Sequence, residues 1–433
     1  MRVLIAPDKF KGSLSGAQAA DALAQGWRKG WPAAEPLEIE ILPVADGGEG
    51  TAEAIHDALA GQWITLAVRD PIGRTVEGRY ALVKRADGER LAVLEMSSAS
   101  GFSLVRGDDR DLLRENTFGT GQLLGHALRK GGADRVVVGI GGSATNDGGI
   151  GMAAALGFRF LDADHRELTP TPERLPELAQ IESPTDALPA VPVNVACDVK
   201  NPLLGPRGAT RVYGPQKGLR DAAEAAYLEL GLARLADVAA RTFGRDHRDV
   251  PGAGAAGGLG FGLMTFCGAD LVPGFDLVAG LLGLEAAIAR ADLVLTGEGS
   301  LDGQTLEGKA PVGVAAMARR FGRPVVAFGG RIEEAARAGL RTCFDELIAL
   351  SDVEPELTQA QRMAQEPELL SRHAARLAAR RGIGSAGRRV GGTGGIGSAG
   401  RRVGGTGGIG SAGRRVGGTG GIGSAGRRVG GSA

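Results

Sequence analysis

The strongest constraint on what this chain can fold into is a repeated unit of a short apolar run, a glycine-rich turn and an amphipathic stretch. It occurs at Val3 to Ala6 followed by Ser15 to Trp27, and at Val136 to Ile140 followed by Gly149 to Leu156. It recurs at Leu293 to Thr296 with Pro311 to Arg320, and at Val325 to Phe328 with Ile332 to Ala338. Strand, loop and helix in alternation predict parallel sheets covered by helices, since parallel neighbours need a crossover and the crossover helix buries a sheet face. Ligands of such sheets bind beyond the carboxyl ends of the strands. The first helix is well signalled: Ser15 with Gln18 forms a capping-box pattern, and Ala20, Leu23, Ala24 and Trp27 share one face at 3.6-residue spacing. Because the unit appears at both ends, one layered domain is expected from the two termini with a second inserted between them. The Pro- and Glu-rich stretch 161–195 reads as a long irregular excursion.

A second feature must be set aside before composition is used. From Gly382 the segment GIGSAGRRVGGTG repeats at a period of 13 residues, in four near-identical copies ending at Ala433. With 23 glycines, 8 arginines and no acid, residues 382–433 cannot bury enough apolar surface to offset their ordering entropy, and we expect a disordered tail. The whole chain is formally neutral, but residues 1–381 carry 42 basic against 50 acidic side chains. That balance argues against a nucleic-acid surface on the folded part. Three distant cysteines, Cys197, Cys267 and Cys343, provide neither a disulfide framework nor a zinc ribbon and suit a reducing compartment. No apolar run approaches the roughly 20 residues of a membrane span, so the expectation is a cytoplasmic protein.

Common nucleotide motifs fail on context. Gly303-x4-Gly308-Lys309 imitates a P-loop, but Ala310 stands where a magnesium-binding hydroxyl is needed. Gly252-x-Gly254-x-x-Gly257 has dinucleotide-loop spacing but follows no strand pattern. What remains is a series of glycine loops with a carboxylate, amide or lysine close by. Glycine lets backbone N–H groups approach phosphate oxygens, lysine neutralises charge, and carboxylates hold Mg²⁺ or accept a hydroxyl proton.

APDKFKGS offers Asp8, Lys9, Lys11 and Ser13 after a strand, and PVADGGEGT sets Asp46 and Glu49 around glycines before a helix. GIGGSATNDGG, with Gly141, Gly142, Ser143, Thr145, Asn146 and Asp147, is the best phosphate-loop candidate. ENTFGTG adds Asn116, Thr117 and Thr120. ACDVKNPLLG supplies Asp198 at a strand end, with Lys217 downstream in GPQKG, and TGEGSLDGQTLEGK supplies Glu298, Asp302, Gln304 and Lys309.

Seven of these segments, APDKFKGSLS, ADGGEGT, GIGGSATNDGG, ACDVKNPLLG, GPQKG, PGAGAAGGLG and TGEGSLDGQTLEGKAPVGVA, occur in an order and spacing that resemble the glycerate kinases of the bacterial type-1 family over residues 1 to 380. The repeat tail has no counterpart there. The resemblance implies an α/β fold of two domains: a discontinuous Rossmann-like part (1–62 and 286–381) and an inserted flavodoxin-like part (63–285). It further implies a site in the cleft between them, ATP with Mg²⁺, and phosphorylation of D-glycerate, with 2-phosphoglycerate as the product associated with this type. From the residues alone the 2- and 3-phosphates stay open, as do another small hydroxy acid as acceptor and a homodimer as the oligomeric state.

On this basis we expect Asp46 as the base that orients the hydroxyl, with Lys9 and Asp198 beside it in catalysis. Asp8, Lys11, Ser13 and Glu49 are expected around the substrate. Gly141, Gly142, Ser143, Thr145 and Asn146 are expected on the ATP phosphates, with Lys217 or Lys309 neutralising charge. Asp198, Glu298 and Asp302 are the metal candidates. A non-catalytic sensor of a nucleotide or acidic metabolite is the alternative, and it has no use for carboxylates beside its anion.

Overall fold

A computed structural model describes residues 1–390 of the chain. In chain order the strands are β1 (Arg2–Ile5), β2 (Glu38–Ile41), β3 (Gln62–Arg69), β4 (Thr75–Lys84), β5 (Arg90–Glu95), β6 (Arg135–Gly139), β7 (Arg159–Leu161), β8 (Gln180–Glu182), β9 (Val193–Ala196), β10 (Asp270–Val272), β11 (Leu293–Leu301), β12 (Val325–Ile332) and β13 (Glu346–Ala349). The strands with the expected alternation form two sheets. The first has the order β13-β12-β11-β1-β2, is wholly parallel, and draws its strands only from the two ends of the chain. The second has the order β10-β9-β6-β5-β4-β3, with β3, β4 and β5 antiparallel and β5, β6, β9 and β10 parallel.

These orders differ from the fold labels that the resemblance suggests. The terminal sheet runs 2-1-3-4-5 in its own strand sequence, which is the flavodoxin-like order, where a Rossmann-like part is expected. The inserted sheet is laid down monotonically and has no point where strand order reverses, so it is not flavodoxin-like. The stretch 161–195 is less irregular than its composition suggests, because it contains β8, which pairs antiparallel with β7 at its start.

Period-2 alternation assigns each strand's side chains to opposite faces. Val3, Ile5, Leu293, Leu295, Val326 and Phe328 point into an outer core with the helix Gly16–Gly30 and the last helix. Leu4, Ala6, Val294, Val325 and Ala327 point the other way, into a central core. Leu91, Val93 and Val137 of the inserted sheet enter the same central core, while Ala92, Leu94, Val136 and Val138 face a third cluster beyond. The two sheets therefore share one helical layer, which contains Ala52 and Ile55 of the helix Thr51–Ala58 and Val278 and Leu282 of the helix Gly274–Leu282.

The first helix forms as its sequence signals: Ser15 accepts the Gln18 amide at 3.2 Å, and Gln18 accepts the Ser15 amide at 2.9 Å. Gly26 and Gly30 on this helix let it touch the last helix backbone to backbone, since a Cβ on either would overlap the carbonyl of Ser371 or Ala375. That last helix spans Glu366–Val390, so the backbone is helical into the first repeat copy, contrary to the expectation of disorder from residue 382. The rest of the expected disordered tail, 391–433, lies outside the described residues. Forcing the two helices apart with Gly26→Leu is expected to cost about 1–3 kcal/mol of overpacking, seen as a lower urea midpoint with unchanged m-value.

Candidate active site

The loop after β2 is where the two sheets meet. Its Gly47 has φ +87°, and a Cβ there would stand 2.6 Å from the Ala196 Cβ at the end of β9. A Cβ on Gly139 at the end of β6 would come within 3.0 Å of the Gly47 carbonyl, and one on Gly141 within 3.0 Å of the Gly48 Cα. On the far side, a Cβ on Gly274 would overlap the Asp46 carbonyl oxygen. The segment Asp46-Gly47-Gly48 from the terminal sheet thus lies against the carboxyl ends of β6 and β9 with no space for a side chain at Gly47, and this delivers Asp46 to the glycine loop after β6.

Around it opens a cavity of about 580 Å³, lined by Lys11, Asp46 to Glu49, Gly141 to Ser143, Asp198 and Lys217, among others. A smaller cavity of about 280 Å³ is lined by Asp8, Lys9, Ser13 and the start of the first helix, and Lys11 and Glu49 border both spaces. Binding space therefore sits beyond the carboxyl ends of both sheets, as parallel strands dictate.

The carboxylates are crowded. Asp8 follows β1 and Glu298 lies in the adjacent β11, so the point where strand order reverses in the terminal sheet is acidic. Asp8 is buried, and burial, then the nearby Asp46, push its carboxyl up to about 8, although the Lys9 amide donates to it at 2.6 Å. Burial also raises Asp198, whose Oδ1 accepts the Gly274 amide at 2.8 Å, with Asp46 and Asp276 adding to the rise. Asp46 Oδ1 accepts the Gly48 amide at 3.0 Å.

Behind the glycine loop stands a buried cation. Lys217 Nζ donates to Ser143 Oγ at 2.6 Å and to the Thr145 carbonyl at 2.8 Å. Burial pulls this ammonium down to about 7, against Asp147 and Glu115, which favour its charged form. Asp147 is fully enclosed and organises the loop. It accepts the amides of Thr117, Gly149 and Gly151 and the Thr117 hydroxyl.

The remaining candidates divide by place. Lys11 borders both cavities and has no ion-pair partner among the described residues. Lys9 instead ties the loop together, with Nζ on the Glu49 carbonyl at 2.5 Å and 3.4 Å from its carboxylate. Ser13 lines only the smaller cavity and donates to Glu366 of the last helix. Thr145 and Asn146 are buried behind the loop, with Asn146 Nδ2 on Thr210 at 2.9 Å and with Thr145 Oγ1 and Asn146 Oδ1 unpartnered. Glu298, Asp302 and Lys309 form a group outside the larger cavity's lining, with Glu298 near enough to Asp8 and Lys309 near enough to Asp46 to feel their charge. Lys309 lies 3.3 Å from Glu298 and 3.7 Å from Asp302, and Thr305 Oγ1 donates to Glu298 at 2.6 Å. Asp302 is the N-cap of the short helix Gly303–Leu306, its Oδ1 taken by the Gln304 and Thr305 amides, so that oxygen serves the fold.

Several lining residues lie outside the sequence-based set: Ser97, Phe102, Ser103, Tyr213, Gln216, Ala255 and Ala256. Gln216 sits inside GPQKG and was within reach of that motif. Phe102 had no local signal. The glycines dismissed as a failed dinucleotide loop serve packing instead. The Gly257 carbonyl accepts the Gly148 amide at 3.0 Å, and a Cβ on Gly262 would come within 2.7 Å of the Gly148 carbonyl. They allow the helix Ala255–Cys267 to brace the phosphate-loop candidate from behind.

A glycine loop with a lysine behind it, facing carboxylates across a cavity, on an α/β fold of two sheets, is the arrangement of a phosphate-handling enzyme. A profile of the glycerate kinase family matches residues 3–381. A glycerate kinase of Bacillus subtilis is 45% identical over 352 residues, covering 81% of this chain and 90% of that protein. A glycerate 2-kinase of Escherichia coli is 43% identical over 338 residues, covering 77% and 86%. A crystal structure from Salmonella typhimurium, provisionally assigned as a glycerate kinase 2, superposes with a TM-score of 0.78 at 39% identity and covers 89% of this chain and 99% of its own. The chain belongs to the glycerate kinase family and is an enzyme of that activity.

The buried Asp8 generates a prediction independent of turnover. A carboxyl raised from 3.8 to about 8 binds its proton more tightly folded than unfolded. Its contribution to stability is therefore whole below about pH 4 and is lost as pH rises to about 8. Asp8→Asn, which mimics the protonated form, should be more stable than the parent at pH 8 and indistinguishable from it at pH 4, as read by urea denaturation at both values.

Proposed function

We propose that the chain transfers the γ-phosphoryl group of ATP to the 2-hydroxyl of D-glycerate in the cavity between the carboxyl ends of its two sheets. The observation that carries this reading is the placement of Asp46 in the same cavity as Gly141, Gly142, Ser143 and Lys217. A carboxylate facing a phosphate cradle suits in-line transfer to an alcohol, whereas a sensor of anions gains nothing from it. The 2-position is supported by the name of the Escherichia coli relative, glycerate 2-kinase.

In this mechanism the backbone amides of Gly141 and Gly142 and the Ser143 hydroxyl take phosphate oxygens, and Lys217 neutralises the charge that builds up in transfer. Lys11, with no ion-pair partner among the described residues and bordering both cavities, holds the substrate carboxylate. Asp46 accepts the hydroxyl proton as the substrate oxygen bonds to the γ-phosphorus and the bond to the β-phosphate oxygen breaks, releasing ADP. Lys9 keeps the Asp46–Glu49 loop in place through Glu49.

Mg²⁺ fits this donor set at Asp198. Its carboxylate lines the cavity and is raised by burial and by Asp46, an imbalance that a divalent cation relieves. Among the described residues no three acidic, His or Cys side chains are placed to hold one metal ion together, so the protein would supply one or two ligands, with phosphate oxygens and water completing the set. When bound, the ion would neutralise charge on the phosphate oxygens. A reducing, cytoplasmic setting is supported by the three free cysteines.

The test is phosphorus NMR of the products from ATP, D-glycerate and Mg²⁺. A 2-phosphoglycerate signal that disappears with chelator is expected, and a 3-phosphoglycerate signal would overturn the regiochemistry. Asp46→Asn should lower kcat by roughly a hundred- to ten-thousandfold with little change in the KM for ATP. Lys217 is charged below about pH 7 and neutral above it, so kcat/KM for ATP should fall as pH rises through 7. Lys217→Met should raise the KM for ATP roughly ten- to hundredfold and abolish that limb of the profile.

A further inference from the structure

Phe102 stands out among the phenylalanines of the described residues as the one left exposed. Phe10, Phe160, Phe261 and Phe328 are fully buried, yet Phe102 is 43% exposed. Of the large apolar side chains left exposed among the described residues, only Phe102 and Val199 line the larger cavity. Strand order sets their positions. Phe102 comes from the segment after β5 and Val199 from the segment after β9, on either side of the glycine loop that follows β6.

The ring is held in place by groups that leave one face uncovered by them. The Phe102 amide donates to the Gly142 carbonyl at 2.8 Å, and Gly101 bridges to Ser143, so the residue is tied to the glycine loop through its backbone. The Arg110 guanidinium lies over the ring with its carbon 3.4 Å from the centroid, and Arg110 Nη2 donates to the carbonyls of Phe102 and Val105 at 2.7 and 2.9 Å. A fixed aromatic plate, backed by a cation and attached to a phosphate-binding loop, is a stacking surface for a planar heteroaromatic ring. Val199 has no π-face and can serve only as an apolar wall.

We propose that Phe102 is the stacking platform for the adenine base of ATP, with Arg110 as the positioning residue behind it. The inference rests on the reading that the triphosphate lies over Gly141 to Ser143. It extends that reading by assigning the nucleoside end, which the glycine motifs do not specify. Stacking tolerates any base, so the platform supplies affinity for a nucleotide over a bare polyphosphate.

The test compares ATP with inorganic tripolyphosphate, used as a competitive inhibitor against ATP, in the parent and in Phe102→Ala, Phe102→Trp and Lys217→Met. Phe102→Ala should raise the KM for ATP about tenfold. It should leave kcat at saturating ATP, the KM for glycerate and the tripolyphosphate inhibition constant unchanged, and Phe102→Trp should restore ATP affinity. Because the ring is exposed, an unchanged thermal transition in Phe102→Ala is the expected control. An unchanged KM for ATP in that variant overturns the proposal. So does an equal weakening of ATP and tripolyphosphate, which would make the ring a prop for the loop. If Lys217→Met leaves tripolyphosphate inhibition unchanged, the phosphate-loop reading fails. The stack then stands or falls on the ratio of ATP to tripolyphosphate affinity in Phe102→Ala alone.

Discussion

The architecture depends on one close approach, the backbone of Asp46-Gly47-Gly48 pressed between the ends of β6 and β9 and the first residue of the helix Gly274–Leu282. Van der Waals exclusion makes this possible only with glycine at the contact points, since a Cβ on Gly47 or Gly274 would collide with its neighbours. The shared central core brings the two sheets to this distance: Leu4, Val294, Leu91 and Val137 all bury into one helical layer. Apolar burial thus sets the separation of the sheets, and glycine determines what can cross between them. Asp46 belongs by strand order to the terminal sheet and by position to the cavity of the inserted one.

The charge distribution follows from that geometry and opposes stability. Asp46 and Glu298 are close enough to add to the burial that raises Asp8, and Lys217 is held where burial disfavours its charge. Each of these groups is costly when it is buried by itself, and a partner of opposite charge offsets that cost. The surrounding fold offsets the cost with fixed hydrogen bonds, above all the four that converge on Asp147. Strain of this kind concentrates where a protein handles charged ligands.

Particular residues mark how far the chain was legible as a sequence. The helix caps, the βα units and the polar glycine loops were readable because their information is local: a capping box spans four residues and a strand's alternation spans five. The sequence is least specific where one local pattern serves two purposes. Asp302 carries the pattern of a metal ligand and also caps a helix through its Oδ1, because a short acidic side chain before a glycine turn suits both. Ser13 lines the smaller cavity as a substrate contact would, and its bond to Glu366, 353 residues away in the chain, left no local signal. The Gly252 to Gly257 series looked like a failed nucleotide loop, yet it braces the loop at Gly148. Phe102 left no trace, since an exposed aromatic has no periodic signature.

By itself the sequence determined the α/β class, the derivation of one layer from both ends of the chain, and the membership of the glycerate kinase family. These rest on local propensity, apolar period and motif order, all of which are written along the chain. Only the tertiary structure decided the flavodoxin-like order of the terminal sheet, the separation of the Glu298–Lys309 group from the larger cavity, and the burial of Lys217 behind Ser143. Strand order, burial and side-chain partners depend on which distant segments pack together, and that is set by the energy of the whole core rather than by any stretch of residues within it.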